Sequence, residues 1–271
     1  MHEFQDSQLS SEDRNTRTEP LPIVDTSRFI QYQLLRYRVG DHDHAVNFHT
    51  KISRRNEQAL DGLVNNKSDP ARCVFKRGFD IAAATLSILV FLPALAAISL
   101  AIKLTSRGPI MFRQLRYGLN NKPFVIYKFR TMYSDETDVT GVKQTREDDE
   151  RITPVGKLLR RFSLDEMPQL INIVRGDMSL VGPRPHVPGM LAAGVPYEVL
   201  VPEYFERHRV RPGLTGLAQA RGLRGSTVDA DFAKARIDSD LEYIRSWSLA
   251  FDMRIIIETV WREFLKGGNG I

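Results

Sequence analysis

Hydrophobic and polar positions along this chain are interspersed except in one uninterrupted apolar run. From Ile81 to Ile102 the sequence IAAATLSILVFLPALAAISLAI holds 22 residues without a charge, against the roughly 20 that a helix needs to cross a ~30 Å hydrocarbon core. It lies too far from the start to be a signal peptide, and residues 1–25 are polar with no apolar h-region. Pro93 stands at its middle, where the ring removes a backbone hydrogen bond and kinks a helix. Arg72, Lys76 and Arg77 precede the run and Lys103 and Arg107 follow it, so the positive-inside bias chooses no orientation. A plain span and a kinked helix that enters one leaflet and returns both fit this pattern.

Elsewhere the periodicities are shorter. Residues 1–20 are polar and read as disordered. Between Ser27 and Val39, Phe29, Ile30, Leu34 and Tyr37 recur at near-helical spacing and predict a short amphipathic element. Ser68-Asp69-Pro70 closes this extension. After Gly108-Pro109, the stretches Ile110–Tyr117 and Phe124–Met132 are rich in β-branched and aromatic residues, and Gly118–Pro123 between them predicts a hairpin turn. Residues 134–150 are acidic and polar and read as a loop. From Pro154 helical patterns dominate, ending in one helix from Leu241 to Leu265, with Leu241, Ile244, Trp247, Phe251 and Ile255 on one face and Gly267-Gly268 beyond its end. There is no internal repeat.

A length of 271 residues suits one or two domains. With 42% hydrophobic and 26% charged residues and a mean hydropathy of −0.28, the chain is not collagen-like, wholly disordered or a polytopic membrane protein. The single cysteine, Cys73, permits no internal disulfide and no sulfur-based zinc site, as expected of a chain facing the cytosol. The net charge of +5 is uneven: residues 1–70 carry net −2, the rest +7, and within 72–130 ten basic residues face the single acid Asp80. A basic surface facing a partner is expected there.

The densest chemistry lies in RITPVGKLLRRFSLDEMPQ, residues 151–169. Ser163 and Glu166 have capping-box spacing, which makes Ser163 an N-cap and puts Asp165 and Glu166 at the second and third positions of a helix. Those carboxylates could serve the cap and helix dipole alone, or act as metal ligand and nucleophile. Arg160 and Arg161, just upstream, have the fork geometry that clamps phosphates. Pro168 gives up a hydrogen bond within the first turns for no evident structural gain. In Gly182-Pro183-Arg184-Pro185 two prolines fix the backbone around Arg184, a rigid turn that aims its side chain. Arg211-Pro-Gly-Leu-Thr-Gly216-Leu-Ala-Gln219 has the small, donor-rich character of a loop that approaches a ligand closely. It is not a Walker loop, and no GxGxxG is present. Alternation in Tyr127-Lys-Phe-Arg-Thr-Met132 puts Lys128 and Arg130 on one face, for a substrate phosphate or for anionic lipid headgroups. Asp41-His42-Asp43-His44 with His49 reads as a polar turn rather than a metal site, and His186 and His208 as structural or surface groups.

Together these residues resemble the bacterial sugar transferase family, the monotopic polyprenyl-phosphate phosphoglycosyl transferases. The resemblance runs from about Arg72 to Leu265 through Lys-Arg-Gly-Phe-Asp at 76–80, YKFRTM at 127–132, RITPVGKLLRRFSLDEMPQL at 151–170, GDMSLVGPRP at 176–185, RPGLTGLAQ at 211–219 and the Tyr243-Ile-Arg-Ser-Trp-Ser region. It implies an α+β, mostly helical fold with a re-entrant membrane helix broken at Pro93, a small β-hairpin and amphipathic interfacial helices. The corresponding division is an extension over 1–70, the membrane helix over 71–107 and a catalytic domain over 108–271. Leu92 stands where the family often has a serine before the proline, so a hydroxyl that could help the bend is missing.

The implied activity is transfer of a sugar-1-phosphate from a UDP-sugar to polyprenyl (undecaprenyl) phosphate with release of UMP, the first membrane step of exopolysaccharide or related glycan assembly. Asp165 would carry the aspartyl intermediate and Glu166 would hold Mg²⁺, with Asp165 as a second ligand. Lys128, Arg130, Arg160, Arg161, Arg184 and Arg211 would contact substrate. The expected partners are the UDP-sugar, polyprenyl phosphate and membrane lipid, with a homo-oligomer compatible and nucleic acid not expected. The implied location is the bacterial inner membrane, with the catalytic domain facing the cytosol. Two rival readings are a membrane-anchored metal-dependent phosphohydrolase and a non-enzymatic basic binding protein.

Overall fold

The computed structural model describes residues 69–133, 149–225 and 227–265. The Ser27–Val39 element, the Asp41–His49 cluster, most of the loop expected over 134–150 and the Gly267-Gly268 stop lie outside the described residues. The architecture is α+β and mostly helical, with short strand pairs.

The apolar run lies within helix α1 (Val74–Thr105), whose α-helical assignment continues through Pro93. One stripe of this helix meets the rest of the protein. Lys76, Asp80 and Ala84 are buried and Ile88 is packed, then Leu95 and Ile98 are packed and Ile102 is buried. Intervals of three, four and seven residues keep these side chains on one face at 3.6 residues per turn. Phe75, Leu86, Leu89, Val90, Phe91, Leu92, Leu100 and Leu104 are exposed. Among the described residues nothing covers this contiguous apolar face, and a helix of this length and hydropathy suits association with a membrane.

Strands β1 (Met111–Tyr117) and β2 (Pro123–Phe129) form the expected antiparallel hairpin, with Met111 opposite Phe129 and Tyr117 opposite Pro123. The turn between them places Asn120 and Asn121 at φ of 54° and 61°, a left-handed conformation that asparagine tolerates better than most residues. Helix α2 (Pro154–Arg161) is capped by Thr153, whose side chain accepts from the Gly156 N–H, and it starts with proline where no amide donor is needed. Helix α3 (Gln169–Arg175) ends on Gly176 at φ 101°. Ala84 and Ile88 of α1 share a core with Ile126 of β2 and Leu170 and Ile173 of α3, while Leu95, Ile98 and Ile102 share another with Phe129 and Leu159. Pro93 therefore falls between two docking segments of one helix.

Strand β3 (Ser179–Val181) precedes the short antiparallel pair β4 (Leu191–Ala192) and β5 (Val195–Pro196), which leads into helix α4 (Tyr197–Leu200). Strand β6 (Gly213–Thr215) pairs parallel with β3 and is followed by helix α5 (Leu217–Ala220). The glycines of the 211–219 loop serve this backbone crossing. A Cβ on Gly213 would stand 2.1 Å from the Gly182 nitrogen, and one on Gly216 would stand 2.3 Å from the Gly182 oxygen. Close approach is real here, but its visible partner is the chain itself.

The single helix expected over 241–265 is two helices, α6 (Ala230–Arg245) and α7 (Leu249–Leu265). Ser246 ends the first, and the Ser248 hydroxyl accepts from the Phe251 N–H to start the second. The expected apolar face spans this break because Leu241 packs with Tyr197 and Tyr204, whereas Trp247 and Ile255 pack with Val181 and Val210. Side-chain periodicity survived a turn that serine capping made possible.

Buried polar groups fasten the start of α1. Lys76 Nζ lies 2.6 Å from Asp252 Oδ2 and 3.2 Å from the Val181 carbonyl oxygen. Asp80 accepts from Ser179 Oγ at 2.7 Å and from the Leu180 N–H at 3.2 Å. Tyr243 and Trp247 also donate to Asp252. Together these contacts fix β3, the segment that leads to Arg184.

Candidate active site

The 163–168 segment departs from the capping box. Ser163 is left-handed, with φ 53°, and its side chain makes no cap. Leu164–Glu166 forms a single 3-10 turn, and the α-helix begins only at Gln169, with Pro168 at its cap. Pro168 thus sits at a helix start, where its missing N–H costs nothing. A left-handed non-glycine residue costs about 1–2 kcal/mol, and such strain is often found at functional sites. Its visible result is that Asp165 and Glu166 project as neighbours into the protein, 8% and 9% exposed.

Glu166 is taken by cations rather than by the cap. Arg184 reaches it with both arms, Nη1 lying 3.1 Å from Oε2 and Nη2 bonding Oε1, and Lys128 Nζ is 2.7 Å from Oε1. Asp165 Oδ2 lies 3.9 Å from Lys128, beyond hydrogen-bond distance. Burial would raise the Glu166 pKa, but Arg184 and Lys128 outweigh it and hold this carboxyl well below its usual range. Burial raises the Asp165 pKa with Glu166 adding to the rise, against opposition from Lys128, Arg160 and Arg184. Two adjacent carboxylates pushed in opposite directions suit different tasks. Burial lowers the Lys128 pKa, whereas Glu166 and Asp165 support its charge.

The structure brings Asp165, Glu166, Lys128, Arg160 and Arg184 together, with Arg160 Nε donating to Thr131 Oγ1 at 2.8 Å and sensing the Asp165 charge. Arg130, Arg161 and Arg211 are directed elsewhere. Strand β2 ends at Phe129, so alternation no longer governs Arg130, whose guanidinium bonds the Ser106 carbonyl and hydroxyl at 2.8 and 2.7 Å at the end of α1. Arg161 is exposed, its guanidinium 5.7 Å from the Phe162 ring centroid. Arg211 donates to the Gly176 and Ala71 carbonyls, tying the entry of α1 to the turn after α3.

Two further arginines feel the charges of this site. Arg116 donates to the Pro185 carbonyl at 3.1 Å and also bonds Gln114, buttressing the turn that carries Arg184. Burial and then Arg184 lower its pKa to about 10, with Glu166 opposing. Arg224 is likewise lowered to about 10 by burial and then Arg184, with Glu166 and Asp165 opposing. Hairpin register held a signal for Arg116: Phe112, Gln114 and Arg116 pair with Lys128, Ile126 and Phe124, so Arg116 shares the Lys128 face. Arg224 had no local signal beyond its flanking glycines. His186 and His208 are buried among Tyr197, Tyr204 and Tyr117, and burial, reinforced by Arg207, keeps them well below the usual histidine pKa.

Lys128 and Arg184 thus bond Glu166, while Arg160, Arg116 and Arg224 act on the carboxylates electrostatically, so positive charge outweighs negative around the pair. Such an excess favours a ligand with at least two negative charges, and guanidinium forks match phosphate oxygens. Among the described residues no three His, Cys, Asp or Glu side chains converge as a metal site. The Asp-Glu pair has the hard oxygen donors with which Mg²⁺ is held when substrate phosphates and water complete its shell.

The sequence model of the bacterial sugar transferase family matches residues 71–266. An exopolysaccharide production protein of Rhizobium leguminosarum bv. phaseoli is 53% identical over 194 residues, covering 72% of this chain and 97% of that protein. An undecaprenyl-phosphate glucose phosphotransferase of Komagataeibacter xylinus is 50% identical over 70% of this chain and 36% of its own length. A UDP-glucose:undecaprenyl-phosphate glucose-1-phosphate transferase of Escherichia coli K12 is 43% identical over 80% of this chain and 46% of its own length. The alignment thus takes in nearly all of the first relative but less than half of the other two.

Proposed function

Because this chain belongs to the bacterial sugar transferase family, we propose that it transfers a hexose-1-phosphate from a UDP-sugar to undecaprenyl phosphate and releases UMP. UDP-glucose is the first donor to test, since it is named for relatives with 43–50% identity. The observation that carries the reading is the buried Asp165–Glu166 pair, with Lys128 and Arg184 clamping Glu166 and Asp165 left outside hydrogen-bond distance of them.

The chemistry proceeds by two displacements at one phosphorus. An Asp165 carboxylate oxygen attacks the β-phosphorus, the bond from that phosphorus to the bridging oxygen breaks, and UMP leaves with the electron pair. A phosphate oxygen of undecaprenyl phosphate then attacks the same phosphorus, displaces Asp165 and forms undecaprenyl-diphosphate-sugar. Phosphoryl transfer depends chiefly on position and charge. Asp165 lacks the close cationic clamp that engages Glu166, which leaves it suited to attack. Lys128 lies between the two carboxylates, and Arg184 and Arg160 can follow the charge on the phosphate oxygens. Mg²⁺ held at Glu166, with Asp165 nearby, would neutralise diphosphate charge.

The membrane helix is re-entrant in this reading, with both ends and the catalytic domain on the cytosolic face of the bacterial inner membrane. A straight helix of 32 residues would be ~48 Å long, longer than a ~30 Å hydrocarbon core. Yet Lys76 near its start bonds Val181 and Asp252, and Ser106 at its end accepts from Arg130. One polar domain grips both ends, which supports a helix that returns to its side of entry. Exposed Leu249, Met253, Ile257, Val260 and Trp261 on α7 and Ile171 and Val174 on α3 support interfacial helices beside it. This would bring the dyad to the headgroup level, where the phosphate of the acceptor lies.

The test is UMP release from a panel of UDP-sugars by the full chain in membranes, with undecaprenyl phosphate and Mg²⁺. UDP-glucose is expected to give the highest rate, and Asp165→Asn to reduce it at least about 1,000-fold. Unchanged turnover in that variant would overturn the nucleophile assignment. Sustained sugar-phosphate release without the lipid would make the protein a hydrolase instead.

A further inference from the structure

We propose that the buried Arg207–Asp240 pair is a positioning element for the reaction: Arg207, anchored by Asp240 of α6, holds the Arg184 carbonyl and thereby sets where the Arg184 guanidinium meets Glu166. This rests on the transferase reading above.

Pro183 and Pro185 have no N–H to donate, so the backbone around Arg184 is fastened through its carbonyls. Four consecutive carbonyls are taken. Pro183 accepts from the Gly213 N–H of β6 at 2.9 Å, and Arg184 accepts from Arg207 Nη2, which belongs to the 3-10 segment Tyr204–Arg209. Pro185 accepts from Arg116 Nη1 at 3.1 Å and His186 from the Tyr117 N–H at 3.0 Å, both donors on β1. The donor to Arg184 itself lies deep in the fold, its side chain 0% exposed and that of Asp240 2% exposed.

The donor is itself oriented. Asp240 Oδ2 lies 2.8 Å from Arg207 Nε and 2.6 Å from Nη2, which fixes the guanidinium plane and aims Nη2 at the Arg184 carbonyl. The Tyr204 ring centroid is 5.6 Å from the Arg207 guanidinium carbon, and the Tyr204 hydroxyl meets His186 Nδ1 at 3.2 Å, so the contacts close back on the same segment. A buried ion pair adds little stability over apolar residues of similar volume. What this pair supplies is a charge-assisted hydrogen bond to one chosen carbonyl. From that carbonyl the Arg184 side chain sends both arms to Glu166. Arg207 holds backbone, so its effect on the reaction must pass through Arg184.

The experiment uses full-length membrane-embedded protein as wild type, Arg207→Lys, Arg207→Met/Asp240→Asn, Arg184→Lys and Arg184→Lys/Arg207→Lys. It measures steady-state kinetics, equilibrium binding of UDP and thermal unfolding. Arg207→Lys keeps the charge opposite Asp240 but lacks the second arm, and a misplaced Arg184 is expected to lower kcat at least about tenfold and to raise the UDP Kd. Arg207→Met/Asp240→Asn removes both charges and should unfold within a few degrees of wild type while keeping the kinetic defect, which separates positioning from stability. In the Arg184→Lys background the further change Arg207→Lys should cost less than about twofold, because the side chain through which it acts is already altered. Wild-type kcat in the stably folded Arg207 variants would overturn the proposal, as would an Arg207→Lys defect of equal size with and without Arg184→Lys. A wild type that binds UDP but releases no UMP from any UDP-sugar would refute the transferase reading alone, and the coupling of Arg207 to Arg184 would then be decided by the UDP Kd values.

Discussion

Lys128 Nζ lies 2.7 Å from Glu166 and 3.9 Å from Asp165, so one ammonium bonds the first carboxylate and only electrostatically supports the second. Arg184 strengthens the asymmetry by spending both arms on Glu166. Adjacent acids in one turn thus acquire opposite pKa directions.

Arg184→Lys keeps the positive charge but loses the fork. Removing bidentate recognition at a buried carboxylate is expected to lower kcat/KM for the UDP-sugar about 10- to 100-fold. Steady-state kinetics at saturating acceptor check this, with kcat falling as well as KM rising if Glu166 loses its orientation.

The dyad also sets the pH response. Asp165 must be ionised to attack, and its raised pKa means that kcat/KM falls on acidification at a pH above its ordinary 3.8. Glu166 has a folded pKa well below its ordinary 4.5, so its stabilisation is present above 4.5 and is lost as pH falls through the folded value. Asp165 acts oppositely, because its ionised form costs stability above the raised pKa and protonation relieves that cost. Thermal unfolding of wild type and Glu166→Gln across this range should show the stability gap between them narrowing at acid pH.

Lys76→Met leaves Asp252 buried with one cationic partner removed. Breaking a buried pair from one side costs about 3–5 kcal/mol, so the unfolding midpoint should fall by several degrees. Lys76→Met combined with Asp252→Leu should lose less than the two single changes added together, because no charge is then stranded. Thermal unfolding in one detergent measures the cycle.

Cysteines placed by Phe75→Cys and by Thr105→Cys, each with Cys73→Ser, report the topology of α1. Both positions are exposed near opposite ends of the helix. A membrane-impermeant thiol reagent should label both from the cytosolic side and neither from the other. Labelling from opposite sides would mean that the helix crosses the membrane.

Gly182→Ala tests the backbone crossing that carries Arg184. The new Cβ would stand 2.4 Å from the Arg211 carbonyl oxygen, and backbone cannot rotate away as a side chain would. The expected result is a lower unfolding midpoint together with a lower kcat/KM, measured on the same preparation.

The sequence by itself determined the apolar helix, the hairpin, the order of motifs along residues 72–265 and the Asp165-Glu166 pair, because charge gaps, alternation and adjacency are properties of neighbouring residues. Local rules also misled where long-range partners competed. The capping box predicted from Ser163 and Glu166 gave way when Arg184 and Lys128 took the Glu166 carboxylate. Arg130 left the expected face because β2 ends before it and the end of α1 offers oxygen acceptors. Only the tertiary structure decided which of the many basic residues act on the dyad, adding the charges of Arg116 and Arg224 and directing Arg130, Arg161 and Arg211 elsewhere. The reason is physical: a long cationic side chain binds whatever oxygen the fold brings within a few ångströms, and those oxygens come from segments distant in the chain.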